Sequence, residues 1–268
     1  MTETIFYVRF LSNSEVGVAC EGGSYYEVAE ILNYVIRKEE VIKKRNEGEK
    51  KMSKYDVCVF DLDGTLIDSL GDLAVCCNEA LQLHDLPAHP VDSYRYFVGS
   101  GIKNLIKRSM GDKADDEKLV TSVYKAFKLL YNEKCLELTK PYKGVSALLS
   151  QLRHSGIKVA VLSNKADEFA KRIVDELFDE NEFDLVWGKK EEYPIKPAPD
   201  SLLAILDKFD CKKNKCLYIG DSDVDVITAK NADVDFCGAE WGFRGKDELL
   251  SAGAKKIAVK PGEILALV

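Results

Sequence analysis

From Tyr55 onward, apolar runs of strand length alternate with segments of helix length, and this alternation narrows the possible folds more than any other feature. YDVCVF (55–60), GIKVAVLS (156–163), residues 184–187, KCLYIG (215–220) and residues 233–238 read as strands. Helices are expected from Ser69 or Asp72 to about Gln82, over 144–154 and 168–178, from Pro199 or Asp200 to about Lys208, and over 224–231. Apolar strands separated by helices form a parallel sheet covered on both faces. Residues 85–140 read as mainly helical, broken at Asp92, Gly99–Gly101 and Gly111. They fall between the first and second strands, so this helical stretch is an insertion.

Residues 1–51 follow a different pattern. Thr4–Leu11 and Val16–Cys20 read as strands joined by a turn at Ser12–Ser14. Gly22 and Gly23 break the chain, and Ser24 with Glu27 forms a capping signature for a helix over 25–45. RNEGEKKMSK (45–54) is charged, holds a glycine and reads as a linker.

The 268 residues are 46% hydrophobic and 31% charged, as expected of a globular chain with one large domain or two smaller ones. The charge balance, 38 − 45 = −7, argues against general nucleic-acid binding. No apolar run is long enough to span a membrane, and the N-terminus has no signal-peptide pattern. The eight cysteines show no CxxC spacing, and Cys211 and Cys216, which lie close, have no histidine near them, which reads as reduced thiols and a cytoplasmic location.

Four motifs carry chemistry. Asp61-Leu62-Asp63-Gly64-Thr65 follows a buried strand, so two carboxylates sit at the carboxyl edge of the sheet, where open α/β folds bind ligands. Alternate positions point the same way, which lets Asp61 and Asp63 face one site. The bland alternative is a solvated Asx turn. Leu162-Ser163-Asn164-Lys165 also ends a strand ahead of a helix. A hydroxyl and free N–H groups there would suit an anion, although an N-cap serine is the commoner meaning. In Lys196-Pro197-Ala198-Pro199-Asp200 the prolines would hold Lys196 in one direction, ready for a phosphate oxygen, whereas most lysines are solvated. Gly220-Asp221-Ser222-Asp223-Val224-Asp225 adds three acids at spacing two. Clustered carboxylates repel unless a cation neutralises them, and hard oxygen ligands select Mg²⁺. Acids at a helix N-terminus are the plain alternative.

The order and spacing of these motifs resemble the haloacid dehalogenase superfamily of phosphatases over about residues 55–260. The resemblance implies an α/β fold: a Rossmann-like parallel sheet core (52–68 and 141–268), an inserted small helical cap (69–140) and a ββα N-terminal extension (1–51). Within the superfamily, DGTLIDS (63–69), FVGSGIKNLIKR (97–108) and WGFR (241–244) are similar to phosphoglycolate phosphatases. The resemblance implies that Asp61 is the nucleophile and Asp63 the general acid and base. Mg²⁺ would be held by Asp61, the main-chain carbonyl of Asp63 and Asp221, with Asp225 orienting that shell and Ser222 or Asp223 touching it through water. Ser163, the Asn164 N–H and Lys196 would hold the phosphate, with Thr65 steadying the loop among the substrate-binding residues. In the cap, the turn at Ser100 and Gly101, with Lys103 or Arg108, would receive a substrate carboxylate.

The leading expectation is thus an Mg²⁺-dependent phosphatase on a small phosphorylated metabolite, with 2-phosphoglycolate favoured, acting as a monomer or homodimer. The alternatives are a pyrophosphatase, a sugar-phosphate phosphatase, a phosphomutase, or a regulatory role through residues 1–51. Trp187, Trp241 and Phe243 read as packing, Arg244 as a surface ion pair, Cys58 as core and His84 as a helix-end residue.

Overall fold

The computed structural model describes residues 6–12, 15–20 and 53–268. The chain falls into two compact units, Met1–Met52 and Ser53–Val268. In the first, strands β1 (Phe6–Ser12) and β2 (Glu15–Cys20) pair antiparallel, from Phe6 opposite Cys20 to Phe10 opposite Val16. The helix expected over 25–45 lies outside the described residues.

The second unit is built on a six-stranded sheet. Its strands are β3 (Val57–Phe60), β6 (Lys158–Ala166), β7 (Leu185–Lys189), β8 (Cys216–Gly220), β9 (Asp235–Ala239) and β10 (Ile257–Ala258), in the order β10-β9-β8-β3-β6-β7. Every neighbouring pair is parallel. A two-residue period divides the buried residues between the two faces. Cys58, Phe60, Val159, Val161, Leu217 and Ile219 pack on one side, against helices Val145–His154 and Asp167–Leu177. Val57, Val59, Ala160, Leu162, Cys216 and Tyr218 pack on the other, against helix Asp200–Lys208 and the buried side of Asp223–Ala232.

The chain leaves β3 for β6 on one side and later returns to β8 on the other. That reversal opens a crevice at the carboxyl end of β3. The DLDGT loop sits there.

The insertion follows immediately. Its helices are Leu70–Gln82, Tyr94–Phe97, Ile102–Met110 and Glu117–Lys134. A pair of two-residue strands, β4 (Ile67–Asp68) and β5 (Lys140–Pro141), joins the stretches entering and leaving it, Ile67 opposite Pro141. Asp72, 2% exposed, reinforces this base by accepting hydrogen bonds from the Leu138 and Thr139 N–H groups and the Thr139 hydroxyl.

Two findings differ from the sequence reading. Strand β6 runs on through Ser163, Asn164 and Lys165 to Ala166, and its helix begins only at Asp167. Ser163 is therefore not an N-cap. The β6–β7 ladder pairs Leu162 with Trp187 and Ala166 with Lys189, so four steps along β6 match two along β7. Such a bulge breaks the alternation and re-aims side chains. The second finding is at the C-terminus, where helix Gly245–Ala252, β10 and a 3₁₀ turn (Pro261–Ala266) complete the sheet edge.

Among the described residues, no helix is long and apolar enough to cross a membrane. Cys58, Cys76, Cys77, Cys135, Cys211, Cys216 and Cys237 are free thiols.

Candidate active site

Four strand ends and loops meet at the crevice. The N–H of Asp61 is tied back to Ile219 O of β8 at 2.9 Å, so the main chain holds the first acid in place. Its Oδ1 accepts the Leu62 N–H at 2.7 Å and pairs with Lys196 Nζ at 2.8 Å. No hydrogen-bond donor among the described residues occupies Asp61 Oδ2.

Lys196, 3% exposed, is the electrostatic hub. Besides Asp61 it reaches Asp225 Oδ1 at 2.8 Å, the Tyr218 hydroxyl at 3.0 Å and Leu162 O at 3.2 Å. Its loop, which contains a cis Lys196–Pro197 bond, is held by Asn164. The Asn164 Oδ1 accepts the Lys196 N–H, and its Nδ2 donates to Lys196 O and to Gly99 O of the insertion.

Asp225 is saturated. Its Oδ1 accepts from Lys196 and Tyr218, and its Oδ2 from the Ser222 hydroxyl and N–H. Ser222 and Asp225 thereby form a capping box on helix Asp223–Ala232. Asp221 is held by Thr65 Oγ1 at 3.2 Å and by the Phe243 N–H at 2.8 Å. Gly242 lies so close that a side chain there would collide with Asp221 and Gly64 O. Trp241 and Phe243 thus do more than pack. The indole N–H donates to Thr65 O at 2.9 Å, and this segment fixes the position of Asp221.

One oxygen from each of Asp61, Asp221 and Asp225 lies within 4.8 Å of the others. Burial pushes the Asp61 carboxyl up to about 7, opposed by Lys196. Burial, then Asp225 and Asp61, raise Asp221 well above the carboxylate range. Burial works to raise Asp225 too, but Lys196 and its hydrogen bonds outweigh it and hold that carboxyl below the ordinary value. Burial opposes the charge on Lys196, yet Asp225 and Asp61 keep it protonated. Three buried carboxylates against one ammonium leave negative charge uncompensated, so the all-oxygen donor set fits a hard divalent cation. Asp63 is not in this cluster by its carboxylate.

The Asp63 carboxylate turns the other way. Its Oδ1 accepts from the Ser69 hydroxyl at 2.5 Å, and Lys165 Nζ reaches both oxygens, at 2.9 and 3.1 Å. Lys165, 5% exposed, also donates to the hydroxyl of Tyr131, a residue of the insertion, at 2.7 Å. A cavity of ≈ 40 Å³ opens between these groups; Asp61, Asp63, Ser163, Lys165, Gly101 and Tyr131 are among its lining residues.

Not every expected residue reaches this cavity. Thr65 is fully buried and its hydroxyl donates to Asp221, so it supports an acid of the cluster. Arg108 donates to Phe97 O at 3.0 Å and to Ser100 Oγ at 3.1 Å. Its guanidinium braces the turn and lines neither this cavity nor the neighbouring groove of ≈ 530 Å³, where Ser100 and Lys103 lie. Arg244 pairs with Glu248, donates to Val98 O of the insertion at 3.1 Å and lies 5.3 Å over the Tyr96 ring.

Sequence reasoning gave no role to Lys165, Tyr131, Ser69 or Tyr218. Lys165 had one visible signal, a lysine closing an apolar run beside Ser163 and Asn164. Tyr131 had none, because an aromatic residue in an amphipathic helix reads as core.

The chain is similar to known proteins over most of its length. A phosphoglycolate phosphatase of Aquifex aeolicus is 34% identical over 187 residues, which cover 70% of this chain and 85% of that protein. A phosphoglycolate phosphatase of Colwellia psychrerythraea is 31% identical, covering 76% of this chain and 92% of its own length. A solved Lactobacillus delbrueckii subsp. bulgaricus structure superposes with a TM-score of 0.77 at 31% identity, covering 81% of this chain and 99% of that one. A predicted phosphoglycolate phosphatase from Haemophilus somnus gives 0.75 at 26%, with coverages of 81% and 99%. The family model for haloacid dehalogenase-like hydrolases matches residues 58–239, a span that begins in β3 and ends in β9 and so encloses every acid and lysine of the crevice. By its sheet, its motif order and this match, the chain belongs to the haloacid dehalogenase-like hydrolases.

Proposed function

We propose that this protein is an Mg²⁺-dependent phosphomonoesterase acting on a small metabolite, with 2-phosphoglycolate as its substrate. The observation that carries the reading is the separation of the two DLDGT acids. Asp61 lies in the buried acid cluster with Lys196, while Asp63 lies across the cavity with Lys165 and Ser69. Two carboxylates in unlike surroundings suit a nucleophile and an acid–base group. The choice of 2-phosphoglycolate rests on the named activity of the relatives.

In this reading Asp61 Oδ2, free of donors, attacks phosphorus. The bond to the leaving oxygen breaks, and Asp63 protonates that oxygen. An aspartyl-phosphate results. Asp63, now a carboxylate, takes a proton from water as the water attacks phosphorus, and the Asp61–phosphate bond breaks to release inorganic phosphate. Ser163, the Asn164 N–H and Lys196 hold the phosphate oxygens through both steps. Asp61, Asp221 and the main-chain carbonyl of Asp63 would hold the cation, with Asp225 orienting the set. When bound, it supplies positive charge to the phosphoryl oxygens. Residues 69–140 act as a cap over the core formed by 52–68 and 141–268, and they exclude water from the intermediate.

The test is phosphate release from a panel of phosphomonoesters and pyrophosphate, with and without Mg²⁺, beside Asp61→Asn. Mg²⁺-dependent release that prefers 2-phosphoglycolate and falls about 10³-fold or more in the variant is expected. Substantial turnover by Asp61→Asn would sink the nucleophile assignment.

A further inference from the structure

Tyr131 lines the cavity from the insertion and is fully buried. Its ring is fixed by stacking on Phe127, with centroids 5.2 Å apart, and by an edge contact with Phe169 at 5.2 Å. Its hydroxyl oxygen accepts a hydrogen bond from Lys165 Nζ at 2.7 Å. Among the described residues nothing accepts the hydroxyl's own proton. A buried donor left without an acceptor is costly and marks a place where a missing partner binds.

The surroundings define that partner. The neighbouring group is the Lys165 ammonium, whose charge is matched, among the described residues, only by Asp63 within hydrogen-bonding distance. Burial works against that charge, but Asp63 and Tyr131 keep the lysine protonated. A free O–H beside a fixed ammonium suits an anionic oxygen. Arg108, another candidate for such a contact, is engaged by the Phe97 carbonyl and the Ser100 hydroxyl oxygen.

The location identifies which part of the substrate brings the anion. In the proposed reaction Asp63 protonates the leaving oxygen, and Lys165 is bonded to Asp63. Lys165 and Tyr131 therefore border the leaving group in that reading. A carboxylate on the carbon that bears the ester oxygen would reach both. The geometry points to Tyr131 and Lys165 as the subsite that selects leaving groups carrying such a carboxylate. This inference rests on the proposed phosphatase reading and goes beyond it by placing substrate choice on two residues, one from each side of the cavity.

The test compares 2-phosphoglycolate with ethyl phosphate, which keeps two carbons and lacks the carboxylate. In Tyr131→Phe, which retains the ring contacts, the ratio of kcat/KM for 2-phosphoglycolate to that for ethyl phosphate is expected to fall about 10- to 100-fold. KM for 2-phosphoglycolate should account for most of the fall. Lys165→Met should shift the ratio in the same direction. Equal losses on both substrates would mean that Tyr131 only supports the fold around Asp63, and would overturn the subsite. So would a ratio within twofold of wild type. If the wild type hydrolyses other phosphomonoesters but not 2-phosphoglycolate, the substrate assignment fails by itself. The subsite is then judged on 2-phospholactate against isopropyl phosphate, and an unchanged ratio in Tyr131→Phe overturns it.

Discussion

Lys196 holds the acid cluster together, and replacing it with methionine tests that claim quantitatively. The substitution keeps the volume of the stem and removes one charge. It breaks two contacts to carboxylates, both 2.8 Å, and two to neutral oxygens, at 3.0 and 3.2 Å. Asp225 keeps its donors from Ser222 and Tyr218, and Asp61 keeps the Leu62 N–H, so neither acid is wholly orphaned. Breaking a buried pair from one side costs about 3–5 kcal/mol. For a folded unit spanning Ser53–Val268 each kcal/mol moves Tm by about 2–4 °C, so calorimetry should show a fall of about 6–20 °C. The electrostatic origin is separable from lost packing. Asp225→Asn combined with Lys196→Met should be less destabilising than the sum of the two single changes, by about 1–3 kcal/mol in urea unfolding. Adding Mg²⁺ should recover more Tm in Lys196→Met than in wild type, because the cation then meets less competing positive charge. Strictly additive single changes, or a Tm within about 2 °C of wild type, would refute the argument that Lys196 neutralises this cluster.

Three further outcomes follow from contacts outside the cluster. Arg244→Ala removes the Val98 O contact and the Tyr96 stacking, which should cost about 1–2 kcal/mol and raise KM several-fold; unchanged kinetics would show that the insertion does not depend on this clamp. Gly188→Ala would set a Cβ 2.5 Å from Asp167 Cα and 2.7 Å from Lys165 O, so a loss of about 1–3 kcal/mol with impaired turnover is expected, and a wild-type urea midpoint would contradict the bulge geometry. Hydrogen bonds from Lys54 and Tyr55 hold Asp235 at about 2, against an ordinary 3.8. A carboxyl depressed on folding stabilises above its unfolded value and loses that contribution as pH falls through the folded one. Hence the difference in urea midpoint between wild type and Asp235→Asn should be present at pH 6 and shrink as pH falls from about 4 toward 2; a constant difference would count against the pairing.

What was readable from the residues alone divides along a physical line. The sheet was legible because β3 and β8 are buried on both faces, and such strands read as continuous apolar runs. Asp61, Asp221 and Asp225 were legible because each follows such a run within a few residues, so sequence position nearly determines spatial position. Lys165 fails that condition. Regular alternation would put Ser163 and Lys165 on one face of β6 and Asn164 on the other, with one of the two faces outside the site. The bulge opposite Gly188 buries all three at the crevice, and no local pattern in Leu162–Ala166 announces it. Tyr131 is further from reach, since its role depends on helix Glu117–Lys134 crossing over the sheet to meet Lys165. Trp241 and Phe243 read as packing in the sequence because apolar side chains carry no hint that a main-chain N–H will hold an acid. The DLDGT loop shows the same division within three residues. Asp61 is placed by its strand and is readable, whereas Asp63 is held by Lys165 from the bulge of β6, itself bonded to Tyr131 of the inserted helix, and only the folded chain brings these together.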